Sequence, residues 1–459
     1  MHILTSLILD DMKPALGVTE PAAIALAVSY TRKYLGGSVK ALTIALNSGM
    51  YKNAFTCGVP GVSDTGILIS AALGLVAGQP EKGLEVLSGI TGEERKAAKD
   101  LVSKGLIRAK LASISSDISI IATLETEEGW CEAAILHSHT NLQYVKVNGT
   151  LVYGLEPDED GDHSRIEASA GSPTDTFAGA EKACLHPIHR FSLEELLHYT
   201  ETVPAEELAP LLAAYQVNLE LFSFSMASDR TVIARTLLSG NGGTVLSDDE
   251  KATAQLLSGG AIEGRVLGLD RPAMSITGSG AHGIICTMPL YAVQKCEGLS
   301  EELLLRATAL SYLITMYIKE YSGRLSAFCG CGIAAGTGMA CAVAWMKARG
   351  SGKEAAGCQD TAALLTRVIN NMSAGITGMI CDGGNHGCTM KSIVAVDAAW
   401  RAVDLALSGI SIEPEHGICA RRPEDTMRQM GLIADPGMKE TERTILDIMT
   451  AKADLRHNG

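Results

Sequence analysis

The segment FCGCGIAAGTGMACAVAWM, which runs from Phe328 to Met346, limits the folds open to this chain more than any other stretch. It places Cys329, Cys331 and Cys341 among glycines and alanines, and such small residues let backbones approach closely. Three interpretations are open: a membrane-spanning helix, a tightly packed core helix in which the cysteines are small hydrophobic residues, or a segment that brings thiolate ligands into a buried site.

The composition of this segment does not favour a membrane span. The segment is about long enough to cross a bilayer, but it is poor in leucine and phenylalanine, and no second segment of similar length accompanies it. The N-terminus, MHILTSLILDDMKP, lacks the basic start and the small-residue cleavage site of a secretory signal. We therefore expect a cytoplasmic protein with no membrane partner.

Charge and cysteine content exclude some classes of function. The chain has 38 basic and 52 acidic residues, for a formal net charge of −14, which argues against binding the phosphates of a nucleic acid. Its 12 cysteines are not expected to form a disulfide framework in a reducing compartment. Metal binding, catalysis or core packing must therefore account for them.

The hydrophobic pattern changes along the chain, and at 459 residues two domains are expected. Residues 1 to about 160 mix the hydrophobic periods of strands and of helices. The segment SVKALTIALNSG alternates like a strand, and ILISAALGLVAG is typical of an apolar helix. Thr19 is predicted as a helix N-cap. After the polar segment EPDEDGDHSRIEASAGSPTDTFAG, the helical period dominates. The sequence predicts an α+β protein, with a mixed domain over residues 1–175 and a nearly all-helical domain over residues 176–459.

The strongest chemical signal lies in the second half. MICDGGNHGCTMKS places Cys381 and Cys388 around two glycines, so that one loop can turn both thiols toward a common centre. Cys331 or Cys329 would supply a third soft ligand, and thiolates select iron-sulfur clusters, zinc or copper(I). The spacing alone is weak, and ordinary core or loop cysteines remain the alternative.

Polar candidates occur in four further motifs. GSGAHG offers Ser279, Gly280 and His282 for a carboxylate, although it also fits an ordinary glycine-rich helix start. In YKNAF, Lys52 could bind a carboxylate or act as a base, unless it is only a solvated lysine at a strand end. Asn53 follows it.

The remaining two motifs lie in the first half. GVTEP places Thr19 and Glu20 at a helix start, where Glu20 could contact a substrate or only favour the helix dipole. HSHTNL is predicted to place His137, His139 and Asn141 on one face of a strand, as a polar pocket face or a zinc site.

Five motifs together, in order along nearly the whole chain, resemble the L-cysteine desulfidase family, which is related to the iron-sulfur L-serine dehydratases. They are GVTEPAAIALA, NSGMYKNAFTCGVPG, TGSGAHGI, FCGCGIAAGTGMAC and MICDGGNHGC. The resemblance implies a [4Fe-4S] cluster held by Cys331, Cys381 and Cys388, with Cys329 the weaker candidate for the third ligand, and one iron open to substrate.

The resemblance also implies a reaction, namely β-elimination from a small amino-acid substrate, L-cysteine or L-serine, to a 2-oxo acid and ammonia. Such a reaction needs a base for the Cα proton and donors for the carboxylate. The expected catalytic residues are Lys52, His282 and His139, and the expected substrate-binding residues are Thr19, Glu20, Asn53, Asn141, Ser279 and Gly280. The alternatives are another small 2-amino or hydroxy acid, or a non-catalytic iron-sulfur or zinc sensor. A homodimer is possible.

One position departs from the family motif. Members of the family usually have Gly-Cys-Thr-Glu-Pro where this chain has GVTEP, so Val18 replaces a cysteine. The valine side chain can neither ligate iron nor transfer a proton. The departure puts cysteine desulfidation in doubt and leaves the cluster and the elimination chemistry as expected.

Overall fold

The computed structural model describes residues 1–60, 62–155, 186–323, 325–350 and 358–457. The first part contains α1 (Ile3–Asp11), β1 (Lys13–Leu16), α2 (Thr19–Tyr34), β2 (Val39–Asn47), α3 (Ser48–Ala54), α4 (Ile67–Val76), α5 (Gly92–Ser103), β3 (Ile107–Ser113), β4 (Ser119–Thr126), β5 (Gly129–Leu136), β6 (Leu142–Val147) and β7 (Thr150–Gly154). The polar segment between the two patterns, residues 156–179, lies outside the described residues.

The second part is helical apart from one short strand. It contains α6 (Leu193–Thr202), α7 (Ala205–Leu208), α8 (Leu212–Ala227), α9 (Ile233–Gly240), α10 (Glu250–Val266), β8 (Pro272–Ser275), α11 (Gly280–Glu297), α12 (Glu301–Ser322), α13 (Gly336–Gly350), α14 (Cys358–Ile376), α15 (Gly387–Leu407), α16 (Pro423–Leu432) and α17 (Lys439–His457). The predicted α+β class is confirmed.

Six strands of the first part form one sheet in the order β3-β2-β4-β5-β6-β7. Strands β2 and β3 are parallel, and the remaining neighbours are antiparallel. Helix α2 packs on strands β4 and β5 and against α4. A Cβ on Gly74 of α4 would lie 2.4 Å from the carbonyl oxygen of Ala25, so the two helices meet at backbone distance only because this position is glycine.

The cysteine-rich segment is a core element of the helical part. A single π-helical turn, Cys331–Ala335, leads into α13. The helical run Cys331–Gly350 is long and apolar enough to cross a membrane, yet 83% of its apolar window is buried inside the protein, as in a core helix. A Cβ on Gly338 would lie 2.3 Å from the carbonyl oxygen of Ser311 in α12, which confirms that small residues here allow close helix contact.

The start of the chain packs with the helical part and not with the six-stranded sheet. Strand β1 pairs antiparallel with β8, with Lys13 opposite Ser275, and Thr5 hydrogen bonds to the Tyr199 hydroxyl at 2.9 Å. Leu4 and Ile8 belong to the helical core, whereas the sheet and α2 share a separate core. The division at residue 175 falls among residues 156–185, outside the described part, and stays a prediction.

Candidate functional site

Two loop segments of the helical part are paired by their backbones next to the cysteines. Phe328 forms an antiparallel bridge with Ile380, and the Cys381 amide donates to the carbonyl oxygen of Ala327 at 2.6 Å. The Cys329 amide donates to the carbonyl oxygen of Met379 at 3.1 Å. The pairing holds the FCGCG and MICDGG motifs side by side.

The other two thiols lie at helix starts. Cys331 begins the π-helical turn that leads into α13, and Cys388 lies in the first turn of α15. Backbone N–H groups at a helix start have no intrahelical acceptor, and the local dipole favours a thiolate there. The helix starts therefore favour a thiolate at both positions, but burial and the neighbouring thiols outweigh this effect and raise both pKa values.

The four thiols influence one another electrostatically. A hydrogen bond between Cys331 and Cys329 lowers the pKa of Cys329 and raises that of Cys331, whose pKa is raised further by burial and by the charges of Cys388 and Cys381. Burial, with the Cys381 charge next, raises the pKa of Cys388 to about 11. All four sulfurs are thus close enough for the charge of one to affect the next.

A lysine adds positive charge beside these thiols. Burial lowers the pKa of Lys391, but the thiolate charges of Cys381, Cys388 and Cys329 outweigh burial and raise it overall. Its ammonium group also contacts the Asp382 carboxylate. A cation in this position favours the deprotonated form that metal ligands require.

The thiols are soft donors of the kind that bind iron-sulfur clusters, zinc or copper(I). Among the described residues, no three His, Cys, Asp or Glu side chains lie close enough together to bind one metal ion. In an iron-sulfur cluster each thiolate binds a different iron, so its ligands stand farther apart than those of a single zinc. Cys331, Cys381 and Cys388, with Cys329 beside them, are soft donors of the required type.

A hydrogen-bonded polar group from the first part faces the cysteine loop. Asn53 Nδ2 donates to Glu20 Oε1 at 2.8 Å, and the Asn53 carbonyl oxygen accepts from the Gly384 amide at 3.2 Å. The Cys381 thiol lies 3.7 Å from Asn53 Oδ1. Asn53 therefore connects Glu20 to the loop that carries the paired cysteines.

Glu20 is a buried carboxylate that stays ionised. Burial raises its pKa, but the charge of His139, the hydrogen bond from Asn53 and the charge of Arg265 together lower it below the ordinary value. Thr19 Oγ1 lies 3.1 Å from Glu20 Oε2 and 3.3 Å from the carbonyl oxygen of Gly278. Glu20 thus borders the GSGAHG motif.

The GSGAHG motif forms the start of α11, with Ser279 as N-cap residue and Gly280 as the first helical residue. His282 is buried, and burial, followed by the charges of Lys319 and Arg265, lowers its pKa well below the ordinary value. Its Nδ1 lies 2.6 Å from Thr277 Oγ1, whose hydroxyl donates to the carbonyl of Ile276. When the Thr277 hydroxyl donates to Ile276, Nδ1 carries the proton and Nε2 is an acceptor.

The acceptor nitrogen of His282 faces the cysteine segment. A Cβ added at Gly330 would lie 2.6 Å from His282 Nε2 and 3.0 Å from Lys319 Cδ, and one added at Gly332 would lie 2.2 Å from Met379 Sδ. Neither glycine therefore leaves free space beside its Cα. Their immediate neighbours are a histidine, a lysine and a methionine side chain.

The predicted one-face arrangement of the HSHTNL motif is wrong. His137, His139 and Asn141 lie in the connection between β5 and β6 and not in a strand, and His137 has a φ of 68°. The turn buries His139 next to Glu20 and leaves His137 and Asn141 exposed, with Asn141 Nδ2 bonded to the Leu136 carbonyl oxygen. The alternation failed because the strand ends at Leu136. Of the three, only His139 acts on Glu20.

Two local predictions near the first motifs also need correction. Val18, not Thr19, is the N-cap of α2, and Thr19 is the first helical residue. Lys52 and Asn53 belong to the short helix α3. The Lys52 ammonium is fully buried, 2.7 Å from Glu442 Oε2 and 3.0 Å from the Ser326 carbonyl oxygen. Lys52 is therefore neither solvated nor directed toward Glu20, and its predicted catalytic role has no support from these contacts.

Val18 lies at the contact between the two parts of the site. A Cβ on Gly384 would come within 3.0 Å of Val18 Cγ1 and 3.3 Å of Cys57 Cβ. Gly384 belongs to the loop between Cys381 and Cys388. A side chain at position 18 is therefore directed at the loop that joins the paired cysteines.

Sequence reasoning missed three residues of this site. Lys391 follows Cys388 by three positions on α15, a spacing that puts both on one helix face and could have been noticed. Cys57 is buried, and its pKa is raised by burial and then by Glu20. Arg265, in the last turn of α10, acts on Glu20, Cys57 and His282. The sequence around Arg265 and Cys57 gave no signal of this contact, which depends on tertiary packing.

The chain is similar to known proteins over most of its length. Residues 81–447 match the family model described as serine dehydratase alpha chain. The chain is 34% identical over 448 residues to a UPF0597 protein of Clostridium botulinum strain Hall, covering 98% of both chains. It is 31% identical over 450 residues to one of Caldanaerobacter subterraneus, again covering 98% of both, and 31% identical over 444 residues to one of Clostridioides difficile, covering 96% of this chain and 97% of that one. The chain therefore belongs to the serine dehydratase alpha chain family, a family of lyase-type enzymes.

Proposed function

We propose that the protein is an iron-sulfur-dependent lyase that catalyses β-elimination of a small L-amino acid, L-serine or L-cysteine, to a 2-oxo acid and ammonia. The observation that carries the proposal is the meeting of the cysteine loop with Glu20 and Asn53 of the first part, because Asn53 contacts both Glu20 and Cys381. A purely structural metal site would need only its ligands. Here the ligands lie beside a buried carboxylate and a buried imidazole.

The proposed ligands of a [4Fe-4S] cluster are Cys331, Cys381 and Cys388, with Cys329 as the alternative for the first. When bound, such a cluster supplies a Lewis-acidic iron that polarises the leaving hydroxyl or thiol. The charge of the nearby Lys391 opposes the effect of burial on the pKa values of Cys329 and Cys388. Membership of the serine dehydratase alpha chain family supports this cofactor.

The protein side chains supply the remaining functions. Glu20 is ionised and buried, so it suits the ammonium group of the substrate, with Thr19 and Asn53 fixing its two oxygens. The uncapped start of α11, with Ser279 and Gly280, suits a carboxylate.

His282 is the best supported base. Its Nε2 is unprotonated and faces Gly330, between the two cysteines of the FCGCG motif. Removal of the Cα proton to Nε2 and departure of the β-substituent give an enamine, which tautomerises to an imine and is hydrolysed to the 2-oxo acid and ammonia. His139 is the alternative base, and it lies on the other side of Glu20.

Val18 bears on the choice between the two substrates. The usual family residue at this position is cysteine, and Val18 is directed at the loop between Cys381 and Cys388. We propose that L-serine is preferred to L-cysteine because a thiol at this position would be the group that handles sulfur. Another small 2-amino or hydroxy acid is the runner-up substrate.

The test is anaerobic purification followed by measurement of iron, acid-labile sulfide and visible absorption. Pyruvate and ammonia are then assayed with L-serine and with L-cysteine, and sulfide with L-cysteine. Turnover that is lost on iron chelation and restored by reconstitution supports the proposal. Bound iron without turnover of either amino acid would favour the sensor alternative, and stoichiometric zinc with no iron would exclude the cluster.

The proposed setting is cytoplasmic, with residues 1–175 as a substrate-binding domain, residues 176–459 as the catalytic domain, and a homodimer as the assembly. The burial of the Cys331–Gly350 helix inside the protein supports a core role for it. Size-exclusion chromatography with light scattering tests the assembly.

A further inference from the structure

Arg265 is a buried cation without a carboxylate partner among the described residues. It lies in the last turn of α10, is 4% exposed, and its Nε has no hydrogen-bond partner in the described part of the chain. None of the ion pairs between described side chains includes it. A buried guanidinium left unpaired is costly, so such a group is usually retained for a ligand.

The side chain of Arg265 runs along the start of α11. A Cβ added at Gly280 would lie 2.8 Å from Arg265 Nε and 3.2 Å from its Cδ. Ser279 gives α11 no side-chain cap, so the first backbone amides of this 18-residue helix are uncapped beside the Arg265 side chain. The arginine guanidinium carries five N–H donors in a planar fork, which can bind a carboxylate. The free amides of a helix start can bind one as well.

The surroundings of Arg265 limit what it can bind. Its charge acts on Glu20 and on His282, so it lies near the carboxylate proposed for the substrate ammonium and near the imidazole proposed as base. Glu20 makes no ion pair with it, because the oxygens of Glu20 are held by Asn53 and Thr19. An amino acid with its ammonium on Glu20 would direct its carboxylate toward Arg265.

We propose that Arg265 binds the substrate carboxylate, in a bidentate pair completed by the amides at the start of α11. This assignment rests on the proposed function of the site. It adds the residue that selects substrates with a free carboxylate. Gly280 is then necessary because any side chain there would displace the guanidinium. The anchored carboxylate lies next to the Cα whose proton is removed, where the developing negative charge needs a cation.

The experiment compares Arg265→Gln, Arg265→Lys and Gly280→Ala with the control Arg271→Gln. Arg271 is a partly exposed arginine of the same region, paired with Glu220. The probes are L-serine and L-serinamide, which lacks the carboxylate charge, and pyruvate as a simple 2-oxo acid. Circular dichroism checks folding, and calorimetric titration of the anaerobic holoprotein measures binding without requiring turnover.

We expect Arg265→Gln to weaken L-serine and pyruvate binding on the order of 10- to 100-fold, as for loss of a charged hydrogen-bonded pair. The wild-type preference for L-serine over L-serinamide should largely disappear in Arg265→Gln. The Arg265→Lys protein should retain part of this preference, and the Arg271→Gln protein should retain all of it. A merely structural arginine would lower stability and leave this preference unchanged.

Each result separates the two proposals. A folded Arg265→Gln protein that keeps the preference for L-serine over L-serinamide overturns the anchor. Should the variant fail to fold, the same preference measured in Arg265→Lys and Gly280→Ala decides the question, and an unchanged preference in both overturns the anchor. If the wild type binds the carboxylates but turns over no amino acid, the lyase proposal fails and the anchor stands. If it binds none of the carboxylates, the anchor is overturned as well.

Discussion

The two sides of the site are built differently. On the side of the first part, Glu20 is held by Asn53 and Thr19, so its oxygens are already oriented. On the helical side, cations lie beside thiols and a neutral imidazole, and Arg265 has an unpaired Nε in the described part of the chain. The contrast is what the proposed function requires: an oriented carboxylate in the first part for the substrate ammonium, and cations in the helical part beside the thiols and the proposed carboxylate anchor.

The largest expected effect is on the helical side. Replacing Cys381 with Ser should remove a cluster ligand and lower turnover on the order of 100-fold or more, since changes that only touch a ligand's neighbours already cost 10- to 100-fold. Iron content and the visible spectrum of anaerobic protein measure the loss. Cys341→Ala is the matched control, because Cys341 is buried within α13. Wild-type iron content in the Cys381→Ser protein would remove this residue from the ligand set.

The next effect concerns the contact that joins the two sides. Lys52→Met leaves Glu442 buried without its ammonium partner, so the free energy of unfolding should fall by about 3–5 kcal/mol. Urea unfolding followed by circular dichroism measures it. The double variant Lys52→Met/Glu442→Leu removes both charges and should regain most of the loss. A single variant as stable as the wild type would show that the pair does not hold α17 in place.

A smaller effect is expected on the first side. Glu20→Gln keeps the shape and loses the charge, so the KM for the amino-acid substrate should rise on the order of 10- to 100-fold. Steady-state kinetics and calorimetry with L-serine measure it. Glu81→Gln, at an exposed glutamate paired with Lys33, is the control. An unchanged KM would mean that the ammonium group is bound elsewhere.

The pH dependence of stability tests the helical side again. The pKa of His282 is lower in the folded protein than its ordinary value of 6.5. Below that pH, His282 is therefore protonated in the unfolded chain but still neutral in the folded protein. Stability is therefore full above pH 6.5 and falls as the pH drops, by up to about 1.4 kcal/mol per pH unit. Urea unfolding from about pH 7.5 to about pH 5.5 should show a steeper loss for the wild type than for His282→Gln. Parallel slopes would show that the pKa of His282 is the same in the folded and the unfolded state.

The smallest effect is expected at the contact of the two sides. Val18→Cys places a thiol against the loop between Cys381 and Cys388, and sulfide release from L-cysteine should rise a few-fold, roughly 1 kcal/mol in the barrier. Val18→Ala controls for altered packing at the start of α2. Brisk sulfide release by the unaltered protein would show that the thiol at this position is dispensable.

The sequence predicted those parts that depend on local pattern. The strand in SVKALTIALNSG, the helix in ILISAALGLVAG and the buried helix after Cys331 follow from hydrophobic period and composition, and they are confirmed. The placement of His137, His139 and Asn141 failed, because the alternation was carried beyond the end of β5. Arg265 could not be found, since its proposed role depends on the packing of α10 against α11, and no local pattern encodes that contact.

The pairing of β1 with β8 has a consequence for how the chain is made. Residues 1–16 leave the ribosome well before their partners, which are Tyr199, Glu207 and residues 272–275. The sheet core can form while synthesis continues, because domains fold as units once their own residues are present. Strand β1 cannot complete its pairing with β8 until residue 275 has left the ribosome. A chain that stops before that point would leave Leu4 and Ile8, both buried in the finished protein, exposed to other chains and to proteases.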